Sequence, residues 1–425
     1  MRPSVPALCG CMLLIAVPSG LKASKAMTWN DCVLLAREGN AGLKSAREKM
    51  SAAIDGKWGA WSGFLPQISA GVGYSYDKYD TTPAGAKNSD ATKNYTASVT
   101  ASQNLFAGMA DWAKVLEKRA EHEKAVAAFD AAKAKASYVL KAVFEGARYS
   151  QQLESLADTI VQRRESNLAL VELRFESGRE NKGALLLSKA YLGQARLEKL
   201  QARNAARIAK GQLAAAVGEG ADEIEAVGRV PVIEPRTEDP DFAALAPLTP
   251  DHREAAAAED AASALVSSAR SGFLPVLGAT AQKSRTGEDF FPQNGKWSAA
   301  VSLTFPLFGG GRDFFATRAA ASTARSAAYL RADTDAELVP KLRQAWATYV
   351  EAVTRLEVDE KFLEAARTRA EIARQKYDNG LLSFEEWDRI ESDLIRYEKN
   401  RLQSSRERVL AEAAWEQAQG RGVFE

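Results

Sequence analysis

The sequence predicts a mainly α fold with a small β part, built as an internal two-fold repeat. Three observations carry that expectation. Motifs recur at a near-constant interval, four stretches alternate between apolar and small polar residues, and two helical stretches are too long for an ordinary globular core. Gly63-Phe64-Leu65-Pro66 returns as Gly272-Phe273-Leu274-Pro275. Leu105-Phe106-Ala107-Gly108 returns as Leu307-Phe308-Gly309-Gly310, and Phe175-Glu176-Ser177-Gly178 as Tyr377-Asp378-Asn379-Gly380. The first pair lies 209 positions apart and the others 202. A shorter loop between the strands of the second copy accounts for the difference.

The elements follow in chain order. Arg2 precedes an apolar run from Val5 to Val17, then Pro18-Ser19-Gly20 and the small-residue stretch Ser24-Lys25-Ala26. This reads as a secretory signal peptide over 1–26, cleaved after Ala26 and too short to span a membrane. Its loss removes Arg2, Lys22 and Lys25 and takes the formal charge from +1 to −2. Cys9 and Cys11 leave with it, so Cys32 has no partner for an intramolecular disulfide. The first repeat, 27–228, opens with a helix from about Thr28 to Ser62, capped by Thr28 or Asn30. Phe64-Leu65-Pro66 ends it, because the residue before a proline avoids helical angles. A strand hairpin follows over about 67–102, a long helix over 111–176 and a shorter helix over 184–217. Pro231, Pro235 and Pro240 mark an extended linker at 229–240. The second repeat, 241–420, has a helix, a hairpin over about 276–305, a long helix over 313–377 and a closing helix over 384–419.

The strand pattern is strict. Ile68, Ala70, Val72, Tyr74 and Tyr76 alternate with Ser69, Gly71, Gly73 and Ser75. Tyr95, Ala97, Val99 and Ala101 alternate with Thr96, Ser98, Thr100 and Ser102. In the second copy Trp297, Ala299, Val301, Leu303 and Phe305 alternate with Ser298, Ala300, Ser302 and Thr304; Leu277, Ala279 and Ala281 against Gly278, Thr280 and Gln282 is weaker. One apolar and one small polar face is what a transmembrane β-strand needs. Val99 and Val301 are then lipid-facing, and Tyr95 and Trp297 hold equivalent places as interfacial aromatics. Four strands cannot close a barrel, which needs about eight. An open edge in lipid leaves backbone groups unpaired at several kcal/mol each. Three chains would supply twelve strands: a homotrimeric 12-stranded transmembrane β-barrel.

Each long helix of roughly 65 residues spans about 100 Å. Tyr349, Leu356, Leu363, Ala370 and Tyr377 recur every seventh residue, a coiled-coil spacing. The opening and closing helices of a copy are each about half as long, so stacked end to end they match one long helix. Gly178 and Gly380 reverse the chain at the far end.

With these residues in place, the sequence resembles the TolC-type outer-membrane efflux family across essentially the whole mature chain. The resemblance rests on the duplication, both Phe-Leu-Pro strand entries, Phe305-Pro306-Leu307-Phe308-Gly309-Gly310 before the second long helix, Tyr377-Asp378-Asn379-Gly380 at the tip, and Thr28-Trp29-Asn30-Asp31 with Asn40 at the opening helix. It implies a homotrimeric barrel in outer-membrane lipid, continued by a long α-helical coiled-coil tunnel into the periplasm. It also implies an inner-membrane transporter and a periplasmic adaptor (membrane fusion) protein as partners, with the adaptor docking at the turns of Gly178, Tyr377 and Gly380. Relatives close the periplasmic end with acidic rings past the second tip glycine. Glu386 holds the first such position, whereas Arg389 holds the second and Leu382 the tip-arginine position. The partner positions in the first copy are Gly183 and Ala184, so the polar latch of some relatives is expected to be absent. Glu386 and Arg389 are the candidate constriction.

No catalytic, cofactor or metal site is expected. His122 and His252 stand apart in charged or helix-start surroundings, and no Cys/His spacing marks zinc. Phe308-Gly309-Gly310-Gly311-Arg312 lacks the Lys-Ser/Thr of a phosphate loop. A charge near neutrality gives no footprint for nucleic acid. The alternative is a periplasmic coiled-coil adaptor or scaffold without a pore; two equivalent amphipathic hairpins argue against it.

Overall fold

The computed structural model describes residues 25–78, 91–218, 224–235 and 238–424. The expected signal peptide, with Cys9 and Cys11, lies almost wholly outside them. The chain begins with strand β1 (Lys25–Thr28) and helix α1 (Trp29–Gly39), then α2 (Ala41–Gly59) and a 3-10 turn over Ala60–Phe64. Strands β2 (Gln67–Asp77) and β3 (Thr92–Ala107) lead into α3 (Ala110–Glu176) and α4 (Lys182–Val217). Strand β4 (Ile224–Val227) closes the first copy. The second runs through α5 (Phe242–Leu245), α6 (Pro250–Arg270), β5 (Val276–Gly287), β6 (Asn294–Thr304), α7 (Arg312–Asp378) and α8 (Phe384–Ala418).

The single opening helix expected over 28–62 is broken. Thr28 caps α1 in a capping box with Asp31. Asn40 then leaves helical angles, and its side chain accepts from Leu43 N at 3.0 Å, starting α2 afresh. The break is held from outside, because a Cβ on Gly39 would sit 2.4 Å from Val217 O at the end of α4.

Both long helices have 67 residues, about 100 Å of rise. Near the strands α3 packs beside α2 and α6, and towards the far tip beside α4 and α8; α7 packs beside α6 and then α8. The seam of α7 is buried at Leu342, Trp346, Tyr349, Val353, Leu363, Ala366, Ala370, Ala373 and Tyr377, steps of three and four broken only between Val353 and Leu363.

A waist forms half-way along the helices, where every piece outside the repeat pattern collects. β1 pairs in parallel with β4, from Lys25 against Ile224 to Thr28 against Val227. Met27, Trp29, Cys32, Phe144, Leu213 and Phe424 share one core there, with Trp29 edge-on to Phe144 at 5.4 Å. The segment read as an extended linker is strapped down. Ile233 N donates to Glu412 (3.2 Å), Tyr349 donates to Ile233 O, Arg408 reaches Glu234 (2.5 Å), and Trp346 donates to Asp239 (2.9 Å). A cleavage after Ala26 would remove two of the four residues of β1.

Candidate functional site

Two places concentrate what is unusual for a folded chain: the four-stranded wall and the opposite helical tip. The wall is antiparallel in the order β2-β3-β5-β6. Its register runs through Ala70↔Val99, Val99↔Lys283 and Lys283↔Trp297, which therefore share one face. The two hairpins thus put their apolar residues on the same side. Ile68, Val72, Val301 and Leu303 are exposed by 73%, 90%, 71% and 68%. The other side carries Ser69, Ser98, Thr100, Thr280, Ser302 and Thr304. Among the described residues β2 and β6 each have one edge unpaired.

Three details go beyond the sequence reading. β3 runs past residue 102 to Ala107, and a bulge between Asn104 and Phe106 shifts the register so that Phe106 faces Leu277 on the apolar side. The weak alternation of β5 hides Lys283 and Arg285, which the register places on that same apolar side. Tyr95 and Trp297 do not pair at one level: Tyr95 lies opposite Gly287, whereas Trp297 lies opposite Lys283, four residues away along β5. Tyr95 stacks against Tyr74 at 4.8 Å and meets Phe290 at 5.8 Å.

The entry from wall to helix explains the repeated Gly-Phe-Leu-Pro motif. A Cβ on Gly63 would lie 2.5 Å from Asp111 Oδ1, and one on Gly272 2.7 Å from Asp313 Oδ1. Glycine lets the 3-10 turn pass the acidic start of the long helix without pushing that carboxylate aside.

At the tip, Gly178 and Gly380 adopt φ of 73° and 74°. The following N–H groups, of Arg179 and Leu381, each donate back across the turn at 2.8 Å to Arg174 O and Lys376 O. Asn181 and Ser383 then cap the returning helices. Tyr377 is fully buried, stacked on Trp387 at 4.2 Å. Its hydroxyl donates to Glu180 at 2.9 Å, while Arg174 lies 4.5 Å over its ring and donates to its carbonyl at 2.5 Å. Burial, with Glu180 beside it, holds the Tyr377 phenol well above its ordinary pKa. A polar tie of another kind joins the two tips. Leu382, Gly183 and Ala184 do not form one, but Tyr377, Glu180 and Arg174 do. The sequence reading missed Glu180 because it stands three positions before Gly183. Tyr377 offers no side chain to a docking partner. Glu386 and Arg389 are exposed one turn apart on α8, without an ion pair among the described residues. Behind them Arg164 binds Asp388 at 2.7 Å and Arg163 binds Glu398 at 3.0 Å, tying α3 to α8.

Among the described residues there is no group of His, Cys, Asp and Glu able to hold a metal, and no helix is long and apolar enough to cross a membrane. A family model described as outer membrane efflux protein matches residues 33–219 and 246–421, one segment for each copy. No curated protein matches. Solved structures do: the outer-membrane channel OprN at 19% identity and TM-score 0.82, over 93% of this chain and 90% of that one. The outer membrane protein VceC of Vibrio cholerae matches at 19% and 0.82, over 93% and 96%. The CmeC outer membrane channel of Campylobacter jejuni matches at 15% and 0.81, over 92% and 85%. These likenesses carry the fold, and the family model, matched through both repeats, carries the membership: the chain belongs to the outer membrane efflux protein family.

Proposed function

We propose that three copies of this chain pool their walls into a twelve-stranded transmembrane barrel, continued by the helices as a tunnel into the periplasm. As a family of channel proteins rather than enzymes, its members need no catalytic site. The observation that carries the reading is the wall itself. It has an apolar face with no core behind it and two unpaired edges. In water such a sheet exposes apolar area and a strand template; in lipid it exposes unpaired backbone groups. Joining β6 of one copy to β2 of the next removes both edges and turns the apolar face outward to lipid. Serine, threonine and glycine then line the lumen.

The conduit is passive, and an inner-membrane transporter supplies the energy. A periplasmic adaptor docks around the tip turns of Gly178 and Gly380, where Leu381 and Leu173 are exposed by 75% and 65%. The tie between Tyr377 and Glu180 supports a closed tip at rest, with Glu386 and Arg389 as the charged lining nearest the turn. The test is conductance of the purified protein in planar bilayers, alongside membrane fractionation. A protein recovered in the outer-membrane fraction as a trimer with nucleotide-independent conductance fits. One released with the soluble periplasm and unable to form pores would instead be a coiled-coil scaffold.

A further inference from the structure

The apolar side of the wall is not purely apolar: Lys283 and Arg285 stand on it side by side along β5, with Lys93 beyond Tyr95 towards the loop and Gln103 towards the helices. Register leaves no doubt about the side, since Lys283 pairs with Val99 and Trp297, and Arg285 with Ala97 and Gly295. Both cations are exposed, and neither makes an ion pair or hydrogen bond with any described residue. A lone cation facing lipid costs up to about 2–4 kcal/mol at mid-membrane and little near the surface. Their level therefore matters. Lys283 lies opposite Trp297, and Tyr95 sits two residues beyond the partner of Arg285. Tyr95 continues through Phe290 to Phe291, with centroids at 5.8 and 5.1 Å. Such an aromatic belt marks a membrane–water boundary. This one is at the loop end of the strands, away from the helices. A second apolar rim, Phe273, Phe305 and Phe308, lies at the helix end.

Space and shape complete the picture. Ala97 and Gly295 leave the flanks of Arg285 without bulk. A groove of about 550 Å³ lined by Ala70, Val72, Ala97 and Val99 runs beside both cations. Lysine and arginine stems lie along apolar surface while their heads reach the interface. Arginine presents a fork suited to phosphate oxygens.

We propose that Lys283 and Arg285 form a binding site for the phosphate groups of an anionic glycolipid in the outer leaflet, with an acyl chain lying in the adjoining groove. The inference rests on the barrel reading, since only a closed barrel puts this side against lipid. The site repeats once per chain.

The test uses the full-length protein in nanodiscs of zwitterionic phospholipid, titrated with bisphosphorylated lipid A or with the same lipid stripped of both phosphates. Conductance is recorded on the same preparation. Wild type should bind the phosphorylated lipid at least about tenfold more tightly than the stripped form. The double variant Lys283→Leu, Arg285→Leu should lose that preference. It suits an apolar band, so insertion and conductance should stay at wild-type level. Equal binding of the two lipids by a conducting wild-type protein, or a preference unchanged in the double variant, overturns the proposal and leaves the barrel standing. A protein that forms no pore overturns both.

Discussion

At the scale of single residues, depth and side decide what a substitution costs. Val99, opposite Lys283, and Val301, opposite Ala279, hold repeat-equivalent positions on the apolar side. An arginine at either should thus reduce folding stability in vesicles by about 2–4 kcal/mol, and one at Ser302 on the opposite side by much less. Equal costs at all three would contradict the two-sided wall. Close approach gives a second prediction. Gly39→Ala would set a methyl against the backbone carbonyl of Val217, which cannot swing aside, so a loss of about 1–3 kcal/mol should appear as a lower melting temperature. A third concerns charge at the waist. Burial pushes the Glu412 carboxyl above the usual carboxylate range, against the pull of Lys141 at 3.9 Å and the Ile233 N–H. A carboxyl raised in this way favours the fold while protonated and loses that contribution as pH rises through its folded pKa. Glu412→Gln should therefore gain melting temperature relative to wild type as pH rises above the ordinary carboxylate range. No relative gain would mean that Lys141 compensates the charge fully.

At the scale of elements, the tip is a tie between two helix pairs that the chain separates by about 200 residues. Tyr377→Phe removes a hydrogen bond to a carboxylate, worth about 1.5–3 kcal/mol, while keeping the Trp387 stack. Faster amide exchange should appear at 375–383 and leave the waist unchanged. Because the phenol pKa is raised, this contribution is complete below about pH 10 and fades only above it. The sequence made some elements legible and hid others for physical reasons. The strand hairpins could be seen because side chains alternate with period two, and the long helices because two copies repeated the same turn residues. β1 and β4 could not, being four residues each and pairing across about 200 positions. The prolines of the strap gave its extended backbone but not its anchors, Tyr349, Glu412 and Arg408, which only tertiary packing brings near. In β5 the readable alternation, already weak, stopped at Gln282 because Lys283 and Arg285 interrupt the apolar rhythm, although the register continues unbroken to Gly287.

At the scale of the whole molecule, the two copies cooperate as one wall and one column. Repeat-equivalent Tyr95 and Trp297 are four residues apart in register, the stagger that a tilted barrel wall requires. The legible part of the candidate site was its sidedness; the part that was not was the pairing at the tip, where a position-by-position count pointed to Gly183 and Ala184 instead of Glu180. If Glu386 lines the narrowest point, Glu386→Ala should change conductance and lower cation selectivity, since three carboxylates leave the ring together. Identical single-channel records would place the constriction elsewhere.

Lys25 and the buried Phe424 both lie at the girth of the column, about 50 Å from the tip turns. Neither of them touches the lipid-facing wall or the tip turns, so labels placed on that flank would watch the column without crowding the outer loops or the far turns.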